Sequence, residues 1–336
     1  MSNDAPALTR ISTKVGTHSI GSKIPSYPFQ REMPKVAPPS TDIVLSVVVA
    51  CGDAQHGLSD ALVALDASCR GLNAEIIVVF DVQHPVVIPE STAIPIVAIP
   101  IASLLVPLMW GRGVQDARGG TVALTTTQFR VAPEWAPTLL AALGDPNCGA
   151  VGGRMALAPG LPLWARALFL VRYSEHMGGE DRLDPREIAG ESAAYRREEI
   201  THALPNPEEG FWEVAVHRRL RAQGKRLFYA SHAIAYFTDT PRFSEIIANR
   251  VEHGAYYGKY RIQELGWSKV KAIAVTPAVP LVLLWRIAGR IPRTPSSILR
   301  YLVALPHALV ILTAWAIGEA QGAWKAQRPP RRLIHD

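Results

Sequence analysis

Apolar positions in the middle of the chain fall into continuous runs, separated by stretches with helical spacing. "DIVLSVVVAC", residues 42–51, is a β-branched run of the kind that forms a strand covered on both faces. "GLSDALVALDAS" then places Leu58, Leu62 and Leu65 at helical spacing, and "AEIIVVFD" gives a second buried strand ending in Asp81. These pieces make a β-α-β unit. Ligands of open α/β sheets gather beyond the carboxyl ends of the strands, which puts Cys51, Asp53 and Asp81 on one crevice.

The pattern continues. Residues 113–119, "GVQDARG", read as a helix in which Ala117 permits close packing, and "TVALT" reads as a strand delivering Thr126 to the same edge. "GAVGGRMAL" gives a further strand, and "IAGESAAYRREEI" a strand leading into a polar turn and a helix. Residues 208–237 read as a helix followed by a strand.

Composition narrows the class. A chain of 336 residues with 48% hydrophobic and 19% charged residues buries a full core, which excludes a disordered or fibrous protein. Cys51, Cys69 and Cys148 lack metal-site spacing and sit in or beside apolar runs, so they read as buried free thiols in a reducing compartment. Residues 1–42 mix Pro, Ser, Thr and scattered charges without the apolar core of a signal peptide and read as a mostly disordered arm.

The formal net charge of +6 is concentrated late and ends in the basic tail "KAQRPPRRLIHD". Such a tail suits nucleic acid or an anionic membrane. Its neighbours favour the membrane. Residues 272–285 give 14 uncharged positions, short of a span, and residues 301–318 give 18, just enough for one. The linker between them carries Arg286, Arg290, Arg293 and Arg300, which suits two helices lying in the cytoplasmic interface with Trp285 and Trp315 at the boundary. A soluble helical cap is the alternative.

The order of these pieces resembles the family 2 glycosyltransferases, whose fold is GT-A. The resemblance covers roughly residues 43–240 and is carried by "LSVVVAC", by the Asp closing "EIIVVFD", by Gly113-Ala117-Gly119, by "AYRRE" at 194–198, and by Glu213 six residues before Arg219-Leu220. It implies an α/β fold with a mixed sheet flanked by helices. The expected organisation is an arm at 1–42, a GT-A domain at 43–240, a membrane-associating helical region at 241–323 and a basic tail at 324–336.

The resemblance also implies chemistry. Asp81 would contact the base or ribose of a nucleotide sugar, with Cys51, Asp53, Arg112, Gly113, Thr126 and Gln128 around the donor. Glu213 would be the general base that takes the acceptor hydroxyl proton in an inverting displacement, beside Phe211 and Trp212, where the family more often has a second acid at position 212. An exposed Glu213 paired with His217 at i,i+4 is the competing reading. Glu191, Tyr195, Arg196, Trp212 and His253 would lie on the acceptor and phosphate side, and the helix "NRVEHGAYYGKYR" would close over the donor.

One departure stands out. Thr126-Thr127-Gln128 occupies the family's D-x-D position, whose acids hold Mg²⁺ or Mn²⁺, and neutral hydroxyls and an amide bind a hard cation poorly. Either protein cations such as Arg112, Arg196 or Arg197 stabilise the leaving diphosphate, or acids elsewhere (Asp53, Asp81, Glu191) hold a metal, or the protein is a degenerate, non-catalytic scaffold or sugar-binding subunit. The expected partners are a nucleotide-sugar donor, a lipid or glycan acceptor and the anionic membrane surface. No nucleic acid is expected, since no RNA- or DNA-binding signature accompanies the basic helix.

Overall fold

The computed structural model describes residues 43–52, 57–89, 92–263 and 265–326. The expected N-terminal arm, Asp53 and most of the basic tail lie outside them. In chain order the elements begin with β1 (Leu45–Cys51), α1 (Leu58–Ser68), β2 (Ala74–Asp81), β3 (Ile96–Ile101), α2 (Val106–Asp116) and β4 (Thr121–Thr126). Next come β5 (Phe129–Val131), α3 (Trp135–Ala142), β6 (Cys148–Leu157), α4 (Leu163–Tyr173), β7 (Arg182–Leu183), β8 (Ala193–Arg196) and α5 (Arg197–Ala203). The chain continues through α6 (Glu213–Ala222), β9 (Arg226–Phe237), α7 (Phe243–Gln263), α8 (Lys269–Val275), α9 (Val279–Arg290) and α10 (Pro295–Lys325).

The architecture is mixed α/β, a central sheet flanked by helices with apolar helices following. Among the described residues the strands run in the order β3-β2-β1-β4-β8-β6-β9-β5, with β7 on β9. β3, β2, β1 and β4 are mutually parallel, so Cys51, Asp81 and Thr126 all end at one edge, as the β-α-β reading requires. β8 runs antiparallel to β4 and pairs Arg196 with Thr121, at the opposite edge.

Both faces of the parallel strands are covered, which is why their sequences are continuous rather than alternating. Val47, Val49, Ile76 and Val78 join Trp135, Phe169 and Phe237 on one side. Val48, Ala50, Ile77 and Val79 join Trp110, Tyr195, Phe211 and Val216 on the other.

Two sequence expectations shift. The helix expected over 113–119 is α2, which starts at Val106 and stops at Asp116, and Ala117 follows it in extended backbone. Gly113, expected beside the donor, is instead the contact between α2 and β1: a Cβ there would lie 2.2 Å from Val48 Cγ1. β3 gave no sequence signal because it is a half-exposed edge strand interrupted by Pro100.

Helices α7 and α10 pack almost backbone to backbone. Cβ atoms added at Gly254, Gly258, Gly318 and Gly322 would lie 1.9 to 2.2 Å from carbonyl oxygens of the facing helix. Arg261 of α7 pairs with buried Glu319 of α10 at 2.7 Å across the same seam.

Candidate active site

Glu213 opens α6 immediately after the extended Trp212. Its Oε1 accepts the Gly190 backbone N–H at 2.6 Å. The approach needs a glycine at 190, where a Cβ would meet Glu213 Oε1 at 2.6 Å and the Trp110 ring at 2.9 Å. Trp110 in turn donates its ring N–H to the Thr125 carbonyl at 2.9 Å, so this wall is fixed to the end of β4.

Burial pushes the Glu213 carboxyl up to about 8, reinforced by the charge of Glu191 and opposed by the Gly190 N–H and the Arg172 guanidinium. His217 is not its partner. It is held between Glu187, at 2.5 Å, and the Tyr195 hydroxyl, at 3.0 Å. The competing reading of Glu213 as half of an i,i+4 pair therefore does not describe this helix.

A charged cluster surrounds this carboxyl. Arg172, at the end of α4, pairs with Glu191, which also accepts the Tyr173 hydroxyl at 2.7 Å. Arg172 reaches the Gln128 side-chain oxygen at 3.4 Å, and the Gln128 amide donates to Asp239 at 2.6 Å. Arg250 of α7 is buried, donates to His253 Nδ1 at 2.7 Å, and keeps an Nε with no hydrogen-bond partner. Its pKa is lowered to about 9 by burial and by Arg172, so it stays cationic at neutral pH, while His253 is pushed down to about 3 by burial and the two arginines.

The structure sorts the residues expected from sequence. Thr126, Gln128, Glu191, Trp212, Glu213 and His253 come together around this cluster, with Trp212 packed on Tyr256 of α7 at 5.3 Å between ring centroids. Cys51 and Asp81 lie along the same sheet edge, both buried, and Asp81 is bonded to His84 at 2.7 Å.

Three further residues, besides Gly113, fall elsewhere. Tyr195 is fully buried inside the sheet and cannot stack on a sugar. Arg196 spends its guanidinium on the carbonyls of Leu143, Asp145 and Cys148 at the far edge, because β8 runs antiparallel and carries it away from the strand ends. Arg112 faces solvent and pairs with Asp116 at 2.7 Å. Arg172, Asp239 and Arg250 are the cluster members that sequence reading did not place in the site. Arg172 and Asp239 carry no motif, and the basic helix holding Arg250 was the only signal for the third.

A divalent metal, which the D-x-D acids hold in the glycosyltransferases the sequence resembles, does not fit residues 126–128. The D-x-D position offers neutral Thr126 and Thr127 plus a Gln128 already engaged by Asp239 and Arg172, and no group of three metal-ligating side chains occurs among the described residues. Two fixed cations lie near this loop instead: Arg172 reaches Gln128 and Glu191, and Arg250 is buried near Arg172 and Glu191. A substitution tests the fit. Gln128→Asp would face the Asp239 carboxylate, so it is expected to lower Tm by several degrees in EDTA and to recover it in millimolar Mn²⁺. A Tm indifferent to Mn²⁺ would mean that this loop cannot be made into a metal site.

No protein-family model matches the sequence, and no curated protein matches it. Among solved structures the chain is similar to the mannosyltransferase PcManGT from Pyrobaculum calidifontis in complex with GDP-Man and Mn²⁺. The two are 16% identical with a TM-score of 0.48, over 88% of this chain and 91% of that one.

Proposed function

We propose that the protein is an inverting glycosyltransferase that moves a sugar from a nucleoside diphosphate donor to a hydroxyl of a lipid or glycan acceptor. The carrying observation is Glu213, a half-buried carboxyl near the sheet's ligand-binding edge, its pKa raised to about 8 by desolvation, with the Arg172 guanidinium acting on it and Arg250 acting in turn on Arg172. The ionised carboxylate removes the acceptor proton as the acceptor oxygen forms its bond to the anomeric carbon. The bond from that carbon to the diphosphate oxygen breaks, the electron pair leaves with the diphosphate, and a single displacement inverts the carbon. Arg250, with its unpartnered Nε, and Arg172 stabilise the departing charge.

Titration calorimetry with UDP and GDP, each with and without Mn²⁺, tests this without knowledge of the acceptor. One nucleotide is expected to bind with the same affinity in Mn²⁺ and in EDTA, and Arg250→Ala is expected to weaken it at least tenfold. Binding that requires Mn²⁺ would overturn the role given to the arginines. Failure of both nucleotides to bind would favour a non-catalytic subunit, the reading that the missing acids at 126–128 support.

A further inference from the structure

The outward face of α10 is uncharged and apolar over more than four turns. Leu302, Val303, Leu309, Val310 and Ile317 are exposed, while Ala304, Ala308, Ile311, Leu312, Gly318 and Gly322 are buried on the other face. From 302 to 317 this stripe runs about 24 Å. Beside it on α9, Leu281 is 66% and Trp285 77% exposed. Soluble proteins rarely leave so long a contiguous apolar surface to water.

Charge indicates what covers it. Residues 266–318 contain six Lys or Arg and no acid. Between α9 and the turn at Ser174–His176 lies a cleft of about 560 Å³ lined by Glu175, Arg186, Trp285, Arg286 and Arg290. Arg290 closes its floor by pairing with Glu175 at 2.6 Å. Arg186 and Arg286 point no hydrogen bond or ion pair at any described residue. Two uncommitted guanidiniums next to an exposed tryptophan fit a phosphate at the boundary between headgroups and hydrocarbon.

Packing decides the orientation. Lys269–Arg290 and Pro295–Lys325 are long and apolar enough to cross a membrane by length and composition. Yet α10 is covered along its inner face by α4 and by α7, and α7 carries Glu252 and Lys259 exposed to water. A transverse α10 would drag those charges into hydrocarbon, at a cost of several kcal/mol each.

We infer that α9 and α10 form a monotopic docking face for an anionic phospholipid bilayer, with α10 lying in the plane of the interface and the Arg186–Arg286 cleft seating a lipid phosphate. This face is separate from the donor site, so its test is read without nucleotide or transfer activity.

The full chain is sedimented with phosphatidylcholine vesicles and with vesicles containing 30% phosphatidylglycerol. Binding is expected to be at least tenfold tighter to the anionic vesicles. Arg186→Ala with Arg286→Ala is expected to lose about 25-fold, roughly fivefold per arginine. Leu281→Ser with Trp285→Ser should lose affinity for both vesicle types while leaving the folded far-UV spectrum unchanged. Alkaline carbonate should release the bound protein, since only the outer leaflet is engaged.

Equal binding to both vesicles, an arginine double variant that binds like the parent, or retention through carbonate would each overturn the inference. So would displacement by inorganic phosphate at constant ionic strength, which would mark a soluble-anion site, or a detergent-sensitive dimer in which a second copy covers the stripe.

Discussion

Glu213→Gln is expected to lower turnover by about 10² to 10⁴-fold while donor affinity stays within about twofold, because in the proposed reaction the lost group acts on the acceptor proton and not on the nucleotide. The parent's rate in the proposed reaction should rise about tenfold per pH unit and level off above about 8, where the carboxyl becomes ionised. The variant should show no such limb. Donor binding that falls as far as turnover, or a flat parent profile, would remove Glu213 from the role of base.

The same substitution carries a stability signature with a definite sign. The carboxyl's folded pKa lies above its ordinary value of 4.5, so the fold favours the protonated form. That contribution is complete below about pH 4.5 and is lost progressively as pH rises to about 8. Glutamine can still accept the Gly190 N–H and never ionises. Glu213→Gln should therefore match the parent's Tm near pH 4 and exceed it at pH 8, a gain bought at the expense of catalysis. A purely structural glutamate would give a lower Tm at every pH.

Gly322→Val is expected to have the largest effect on stability. A Cβ at 322 would lie 1.9 Å from the Ala255 carbonyl oxygen, and backbone cannot rotate aside as a side-chain end can. The two helices must part, which should cost about 3 kcal/mol or more and lower Tm by several degrees. Arg250 rides on α7 four residues before Gly254, so nucleotide binding should weaken with it. Gln321→Val, at an exposed neighbouring position, is the control and should leave both unchanged. An unaltered Tm for Gly322→Val would mean that the helices do not meet as closely as described.

Much of the scaffold was legible in the sequence because burial on both faces writes continuous apolar strands. β1, β2 and β4, and the shared edge at Cys51, Asp81 and Thr126, follow from that pattern alone. Glu213 was legible through its spacing to Arg219 and Leu220, but its environment was not. The spacing could not distinguish a carboxyl under Trp110 from one paired with His217, since that depends on Gly190, which approaches from another element.

Strand direction decided the fate of "AYRRE". Its residues are contiguous with Glu191, yet an antiparallel β8 leaves Glu191 at the ligand edge and carries Arg196 to the other. Arg172 of α4 and Arg250 of α7 come near one another and Glu191 although their helices lie far apart in the chain, and no local period encodes such a meeting. The sequence by itself determined the layered α/β scaffold through residue type and local period, and its resemblance to the family 2 glycosyltransferases pointed to the neutral residues at 126–128 and the carboxylate at 213. Only the tertiary structure decided that Arg172 acts on that carboxylate with Arg250 near Arg172, and that the stripe on α10 faces outward, because both depend on packing between elements distant in the chain.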